Sequence, residues 1–265
     1  MTSEAHRAFP SERDFLEFQE AAVDLASQST DEFTSQSGEK LPASLNGLGA
    51  VLSLLYRAAC CAWGCKGGDH QLEWLTGRVV NQGASAYRVI RAGYYDEALM
   101  LIRGIGELAN LLWLFKAQPS EVEAWKISDR KQRMNNFGPG PVRKRLTKLE
   151  GIGPPISDER YRRLCEIGTH PVPGFAPGHF TGTGRPILGA TLQPVGVFVC
   201  VTELSFAVAM CGVALAKLLL LEKTLADEIA QKSLALIRSL GAFTVLNYEE
   251  LLAEAYRKER AAGAP

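Results

Sequence analysis

This 265-residue sequence has no net charge, few histidines and no recognisable catalytic motif. Lys and Arg together number 29, as do Asp and Glu, so the formal net charge is zero. A neutral chain has no overall field that attracts nucleic acid or an anionic membrane. Only four histidines are present. The sequence contains no nucleophile elbow, HExxH segment or dinucleotide-binding glycine fingerprint, which argues against hydrolases, zinc proteases and dehydrogenases defined by those motifs.

The six cysteines form neither a disulfide framework nor a zinc-site pattern. They lie in apolar, helical-looking surroundings, as is typical of buried thiols in a reducing compartment. Cys61-x3-Cys65 followed by His70 has no second cysteine pair at zinc-site spacing. The first residues lack the apolar run of a secretory signal. We therefore expect a cytoplasmic protein with no metal and no other cofactor.

Helical periodicity dominates the chain, and no segment shows strand alternation with hairpin turns. The pattern predicts an all-α, single-domain helical bundle of roughly eight to ten helices. We expect residues 1–42 to form an N-terminal helix and a polar linker, and residues 43–265 to form the bundle. The predicted helices are residues 11–28, 45–63, 71–92, 94–117, 120–134, 142–149, 157–168, 195–221, 225–240 and 248–260. Residues 169–194, rich in Gly and Pro, are predicted to form a functional lid, a binding loop or a disordered connection.

Residues 195–221 are apolar over a length sufficient to span a bilayer. Glu203 lies near the start of this segment, and a carboxylate inside a membrane-spanning helix is expensive. The mean hydropathy of the whole chain is also close to zero, at −0.02. We therefore expect a long helix buried in the bundle and no membrane partner.

The most informative segment is residues 96–115, a helix that is apolar almost all the way round. At 100° per residue its polar residues fall on one narrow line, here called the polar stripe: Asp96, Arg103, Glu107 and Asn110. Arg103 and Glu107 are one turn apart and can pair. The stripe is either the solvent-exposed edge of a core helix or a ligand site in which Arg103 binds an anion and Glu107 orients it. Gly104 and Gly106 beside the pair indicate the close approach of another helix or of a ligand.

A second candidate site lies in residues 161–171, YRRLCEIGTHP. Arg163 and His170 are seven residues apart, nearly two helical turns, so they share a face if the helix continues. A guanidinium can bind a phosphate through two donors and an imidazole can move a proton near neutral pH, which suits phosphodiester cleavage. Pro171 disfavours helical dihedrals at His170 and places it at the helix exit. The alternative is a loop histidine that packs on a helix end.

These two segments resemble a group of uncharacterised, mostly prokaryotic helical proteins. Residues 87–115, YRVIRAGYYDEALMLIRGIGELANLLWLF, contain the R-x-x-x-E helix of that group, and YRRLCEIGTHP contains its later Tyr and His-Pro positions. The group is similar to HEPN-type helical domains, whose ribonuclease members use an R-x4–6-H motif. The resemblance assigns that motif to Arg163 and His170. It also implies a homodimer and a role in bacterial stress or phage defence.

Two functions therefore stay open. One is a binding or scaffold protein whose polar stripe and Gly/Pro-rich loop hold a small ligand or a protein partner. The other is a metal-independent endoribonuclease acting on RNA, in which His170 activates a ribose 2′-hydroxyl and Arg163 stabilises the charged phosphate. The neutral charge, the apolar Leu164 after the motif arginine, and the helix interruption at Gly168 favour the binding protein.

Overall fold

The computed structural model describes residues 12–63, 67–149, 151–170 and 189–261, which form eleven α-helices and no strand. The helices are α1 (Glu12–Gln36), α2 (Lys40–Ala59), α3 (Gln71–Arg91), α4 (Tyr95–Ala117), α5 (Ser120–Ile127), α6 (Arg130–Phe137), α7 (Pro139–Lys148), α8 (Asp158–Gly168), α9 (Pro194–Leu218), α10 (Lys223–Ser239) and α11 (Tyr248–Ala261). Two 3-10 turns, Cys61–Trp63 and Val245–Asn247, follow α2 and precede α11. The all-α prediction is confirmed.

Helices α4 and α9 form the centre of the bundle and pack against each other. Helix α4 also contacts α3, α7 and α8, whereas α9 contacts α2, α3 and α10. Both central helices are long and apolar enough to cross a membrane by length and composition alone. Within the bundle, however, 61% of the most apolar window of α4 and 78% of that of α9 are buried. Packing against neighbouring helices therefore accounts for their apolar composition.

Glu203, the carboxylate inside α9, is 1% exposed and is held from two sides. Its Oε1 accepts a hydrogen bond from the backbone N–H of Val245 at 2.9 Å. Its Oε2 lies 3.4 Å from Nε of Arg160 on α8. Burial raises the pKa of Glu203, although the Arg160 charge and the Val245 donor act in the opposite direction. This one side chain thus ties α9 to α8 and to the turn before α11.

Helix α1 is longer than the sequence pattern predicts. It continues to Gln36, so the expected polar linker over residues 29–42 is helical except between Ser37 and Glu39. In this polar stretch Thr30 is buried, and Phe33 packs edge-on against Phe198 with ring centroids 5.8 Å apart. A few buried positions on one side are enough to extend a helix along the bundle, even when the rest of its surface is polar.

The segment predicted as one helix over residues 120–134 is two helices, α5 and α6. Asp129 caps α6 by accepting a hydrogen bond from the backbone N–H of Gln132 at 2.7 Å, while Gln132 accepts one from the backbone N–H of Asp129. This reciprocal capping box starts a new helix where α5 ends. Within the predicted Gly/Pro-rich loop, residues 171–188 lie outside the described residues.

Candidate functional site

The polar stripe of α4 faces helix α8 and the short segment before it. At Gly168, the last residue of α8, an added Cβ would stand only 2.7 Å from the backbone nitrogen of Met100 on α4. At Gly106, an added Cβ would stand 3.1 Å from the side chain of Ile156. The sequence predicts that another helix or a ligand comes close to Gly104 and Gly106. At Gly106 the group that does so is the chain segment at Ile156. An added Cβ at Gly104 would make only an ordinary contact.

Two of the four stripe residues are buried. Asn110 is 2% exposed, and its carboxamide exchanges two hydrogen bonds of 3.0 Å with the backbone of Ile156. Asp96 is 5% exposed, in the first turn of α4. The other two keep about a quarter of their side-chain surface exposed: 24% for Arg103 and 28% for Glu107. Access for a ligand is thus greatest in the middle of the stripe.

Arg103 and Glu107 form the ion pair that their spacing predicts. Nη2 of Arg103 lies 3.3 Å from Oε1 of Glu107. Nη1 lies 3.4 Å from Oγ1 of Thr169 and 3.7 Å from Sγ of Cys165. Nε is buried, and no described residue accepts a hydrogen bond from it. Because N–H···O bonds usually measure 2.7–3.2 Å, this guanidinium is held loosely and keeps donor capacity.

Tyr161 on α8 completes the site. Its hydroxyl donates to Oε1 of Glu107 at 2.9 Å. Burial, followed by this bond to a carboxylate, raises the pKa of Tyr161 to about 12. The guanidinium carbons of Arg143 and Arg103 lie 3.8 Å and 5.8 Å from the centroid of the Tyr161 ring. We call Arg103, Glu107, Tyr161 and Thr169 the α4–α8 cluster.

Arg103 stays protonated near neutral pH. Burial acts to lower the pKa of Arg103, but the neighbouring groups, the Glu107 carboxylate first among them, outweigh it, and the pKa is raised. Arg143, the other arginine near the Tyr161 ring, is 9% exposed and pairs with Asp158, with Nε 2.5 Å from Oδ1. The arginine nearest to Tyr161 is thus already neutralised by the fold.

The sequence pattern gave no role to Tyr161 or Arg143. A usable signal was present for the tyrosine: Tyr161, Leu164 and Cys165 are spaced i, i+3 and i+4, which defines one face of α8. Leu164 and Cys165 are buried, and Tyr161 points with them toward α4. No comparable signal marks Arg143, because its partner Asp158 lies fifteen residues away on another helix.

Arg163 lies in the middle of α8, whereas His170 lies two residues beyond its end. Nη2 of Arg163 is 2.9 Å from Oε2 of Glu249 on α11, and Nη1 is 3.3 Å from Oε2 of Glu166. Helix α8 ends at Gly168, and His170 is exposed, with its backbone N–H donating to the carbonyl of Cys165 at 2.8 Å. The helix therefore does not continue through His170, and the two residues do not share one helical face.

Of the Cys61, Cys65 and His70 set, Cys65 lies outside the described residues. Within the described ranges, no group of three or more His, Cys, Asp or Glu side chains is placed to hold a metal ion. The acidic side chains near the α4–α8 cluster are instead used in pairs: Glu107 with Arg103, and Asp158 with Arg143.

Comparison with known proteins identifies no relative of this chain. No family model, no curated protein and no solved structure matches it. The resemblance to HEPN-type domains, and the residue roles it implies, therefore stay predictions. Functional assignment rests on the contacts made by the α4–α8 cluster and by the residues around it.

Proposed function

We propose that this protein is a helical binding protein of the HEPN-like kind, and that the α4–α8 cluster binds a small ligand bearing an anionic group. The loose coordination of Arg103 carries this proposal. Its contacts measure 3.3–3.7 Å, whereas Arg163 reaches Glu249 at 2.9 Å and Arg143 reaches Asp158 at 2.5 Å. Arg103 is thus held more loosely than Arg163 and Arg143.

The neighbours of Arg103 define the ligand class. A guanidinium binds a carboxylate or phosphate through two parallel donors, and both Nη1 and Nη2 of Arg103 make only long contacts, of 3.4 Å and 3.3 Å, with Thr169 and Glu107. Glu107 and the Thr169 hydroxyl lie beside it and accept from a hydroxyl or amine. The ligand we propose is therefore a small molecule in which an anionic group and a hydrogen-bond donor are adjacent.

Inorganic phosphate and succinate serve as probes of this site. We expect phosphate or succinate to raise the thermal unfolding midpoint of the wild-type protein, because a ligand that binds only the folded state stabilises it. The increase should be lost in Arg103→Gln. Arg162→Gln is the matched control, because Arg162 lies on α8 with 68% of its side chain exposed. A midpoint that neither probe moves, or that both probes move equally in Arg103→Gln, refutes the proposal.

A metal-independent ribonuclease that uses Arg163 and His170 is the second candidate. One observation favours it: His170 is exposed directly after the helix that carries Arg163, so solvent and substrate can reach the imidazole. The two carboxylates bound to Arg163 count against it, because a phosphate has to displace them. Incubating RNA with the protein under chelator separates the candidates.

The wider setting stays a prediction that follows from the resemblance and, for the cytoplasmic location, from the cysteine pattern and the first residues of the sequence. It comprises a homodimer, a cytoplasmic location, an RNA or protein partner, and a role in bacterial stress or phage defence. Sedimentation of the purified protein measures the oligomeric state directly. A monomer across the accessible concentration range contradicts the homodimer without affecting ligand binding at Arg103.

A further inference from the structure

A cleft of about 520 Å³ opens between the start of α3 and the end of α5, on helices other than those of the α4–α8 cluster. Its walls are formed by two indoles and four polar or charged side chains: Trp74, Trp125, Asp69, Gln71, Lys126 and Arg133. Two of the four tryptophans in the chain thus border one cleft. Its volume lies within the range typical of small-ligand sites.

The two indoles are placed as aromatic platforms. Trp74 is 52% exposed, although an indole is among the largest apolar groups that a fold can bury. Trp125 packs its ring against Phe115 in the core, with centroids 5.7 Å apart, and also lines the cleft. Both tryptophans are held on regular helices, α3 and α5. A flat ring on a rigid support suits stacking with another planar ring.

In the described part of the chain, some of the charged side chains around the cleft are paired within the fold and others are not. Nζ of Lys126 is held by Asp69 and Glu123, at 2.8 Å from each, so this cation is neutralised within the fold. The carboxylate of Asp69 is used in that pair, and it also accepts from the backbone N–H of Gln71 at 3.2 Å. The acidic group in the cleft wall is thus occupied, and the surplus charge is positive.

Helix α6 supplies that surplus. Its sequence, RKQRMNNF, contains no buried residue. Arg130, Lys131 and Arg133 form no ion pair with any carboxylate among the described residues, although Arg133 donates to the carbonyl of Ser128. Three cations within four residues repel one another and do not help the helix form. Because they lie beside the exposed Trp74 and the partly buried Trp125, these cations suit an anionic partner outside the fold.

We propose that this cleft and helix α6 bind a single strand of nucleic acid, with a base stacked on the indoles and backbone phosphates against the α6 cations. Base stacking on aromatic side chains combined with a cationic track is the physical basis of non-specific single-strand binding. A duplex does not fit, because its bases are stacked on each other and are not free to enter the cleft. The site is independent of the ligand proposed at Arg103.

Fluorescence anisotropy with a labelled RNA of about ten nucleotides, long enough to cover one such site, tests the proposal in chelator. The same sequence as DNA and the RNA annealed to its complement form the other two arms. Binding of both single strands means that the shared base and phosphate chemistry is recognised, and binding of RNA alone narrows the ligand to RNA. Equal binding of the duplex overturns the proposal.

Two sets of variants locate the site. Trp74→Ala should weaken single-strand binding about 5- to 150-fold, the range for one stacked base. Tyr56→Ala is its control, because Tyr56 is a similarly exposed aromatic residue (55%) on α2. Replacing Lys131 and Arg133 together by Gln should make the salt dependence of binding shallower by roughly 0.7 per lost phosphate contact.

The control for the charge variant is the double replacement of Lys144 and Lys148 by Gln, because both lysines are exposed on α7. It should leave the salt dependence unchanged. Absence of single-strand binding at low salt overturns the proposal, as does binding that Trp74→Ala leaves intact. Failure of this experiment does not affect the anion test at Arg103, since the two sites share no residue.

Discussion

Asn110 and Ile156 hold each other by two reciprocal hydrogen bonds of 3.0 Å, one from the carboxamide to the carbonyl and one from the backbone N–H to the carboxamide oxygen. The pair joins the centre of α4 to the segment that leads into α8. Both residues are buried, with 2% and 1% exposure. The docking of α8 on α4, and thus the geometry of the α4–α8 cluster, depends on this contact.

We expect Asn110→Ala to destabilise the fold by about 2–4 kcal/mol, because it leaves a buried backbone N–H and a buried carbonyl without partners. Urea unfolding at neutral pH measures the change. Asn81→Ala on α3 is the matched control, since Asn81 is exposed and its loss should cost less than about 0.5 kcal/mol. Equal stability of the two variants contradicts the structural role of the Asn110–Ile156 pair.

Two glycines of the same region should respond in opposite directions to a methyl group. Gly168→Ala places Cβ 2.7 Å from a backbone nitrogen and 2.9 Å from a backbone oxygen of α4, so α8 has to shift. We expect a loss of about 1–3 kcal/mol, as for other overpacked sites. Gly104→Ala meets only the Gln82 side chain, at 3.5 Å, and should gain up to about 1 kcal/mol from helix propensity.

Thermal or urea unfolding of both alanine variants beside the wild type gives the sign of each effect. A stabilised Gly168→Ala variant would mean that α8 does not lie against the backbone of α4. A destabilised Gly104→Ala variant would mean that the space above Gly104 is filled by a group outside the described residues.

Glu203 should make the stability of the fold depend on pH. Burial raises its pKa in the folded state above the unfolded value of about 4.3. Over the window between these two pKa values, the folded state retains a proton that the unfolded state has lost. The contribution of Glu203 is therefore complete below the unfolded pKa and falls as pH rises through the window.

Glu203→Gln removes this titration and keeps an oxygen that can accept from Val245. We expect the free energy of unfolding of the Gln variant to rise relative to wild type as pH increases from about 4 toward 7. Glu228→Gln, at an exposed position on α10, controls for the loss of one surface carboxylate. A difference between wild type and Glu203→Gln that is flat, or that runs the other way, contradicts a raised pKa.

The helices and the position of the polar stripe follow from sequence periodicity, whereas the partners of the stripe do not. Asn110 is on the predicted stripe, but its partner Ile156 lies 46 residues further along the chain. Glu203 is conspicuous in the sequence as the carboxylate inside an apolar helix, yet nothing local identifies Arg160 as its partner. Side-chain periodicity defines which face of a helix is buried. The element that covers this face depends on long-range packing.

The extent of α1 and the Trp74–Trp125 cleft also depend on long-range packing that sequence periodicity does not reveal. Residues 29–36 are polar overall, and their helical state depends on the contact of Phe33 with Phe198, far along the chain. The two tryptophans lie on separate helices and are 51 residues apart in the sequence, so no local motif connects them. The basic composition of α6 was visible in the sequence, but its lack of carboxylate partners among the described residues is a property of the packing.

Incubation with RNA separates binding from catalysis. We expect RNA to stay intact when incubated with the purified protein in chelator, because Arg163 is already bound by Glu249 and Glu166. Arg163→Ala should then act only on stability. Its effect should be at most about 1 kcal/mol, because Glu249 is half exposed and solvent screens the pair. Glu249→Gln should cost a similar amount, since it breaks the same contact.

If cleavage is observed, variants of Arg163 and His170 decide whether these two residues perform it. A genuine His170-dependent reaction is abolished by His170→Ala with the fold intact, since His170 is exposed and contributes little packing. Loss of Arg163 then lowers the rate by about 10²–10³, the usual effect of removing one donor to a charged transition state. In that case Glu249→Gln should raise the rate, because it frees Arg163 for the phosphate. Cleavage that survives His170→Ala assigns the activity to a contaminant or to other residues, and leaves α8 as the helix that orders the α4–α8 cluster.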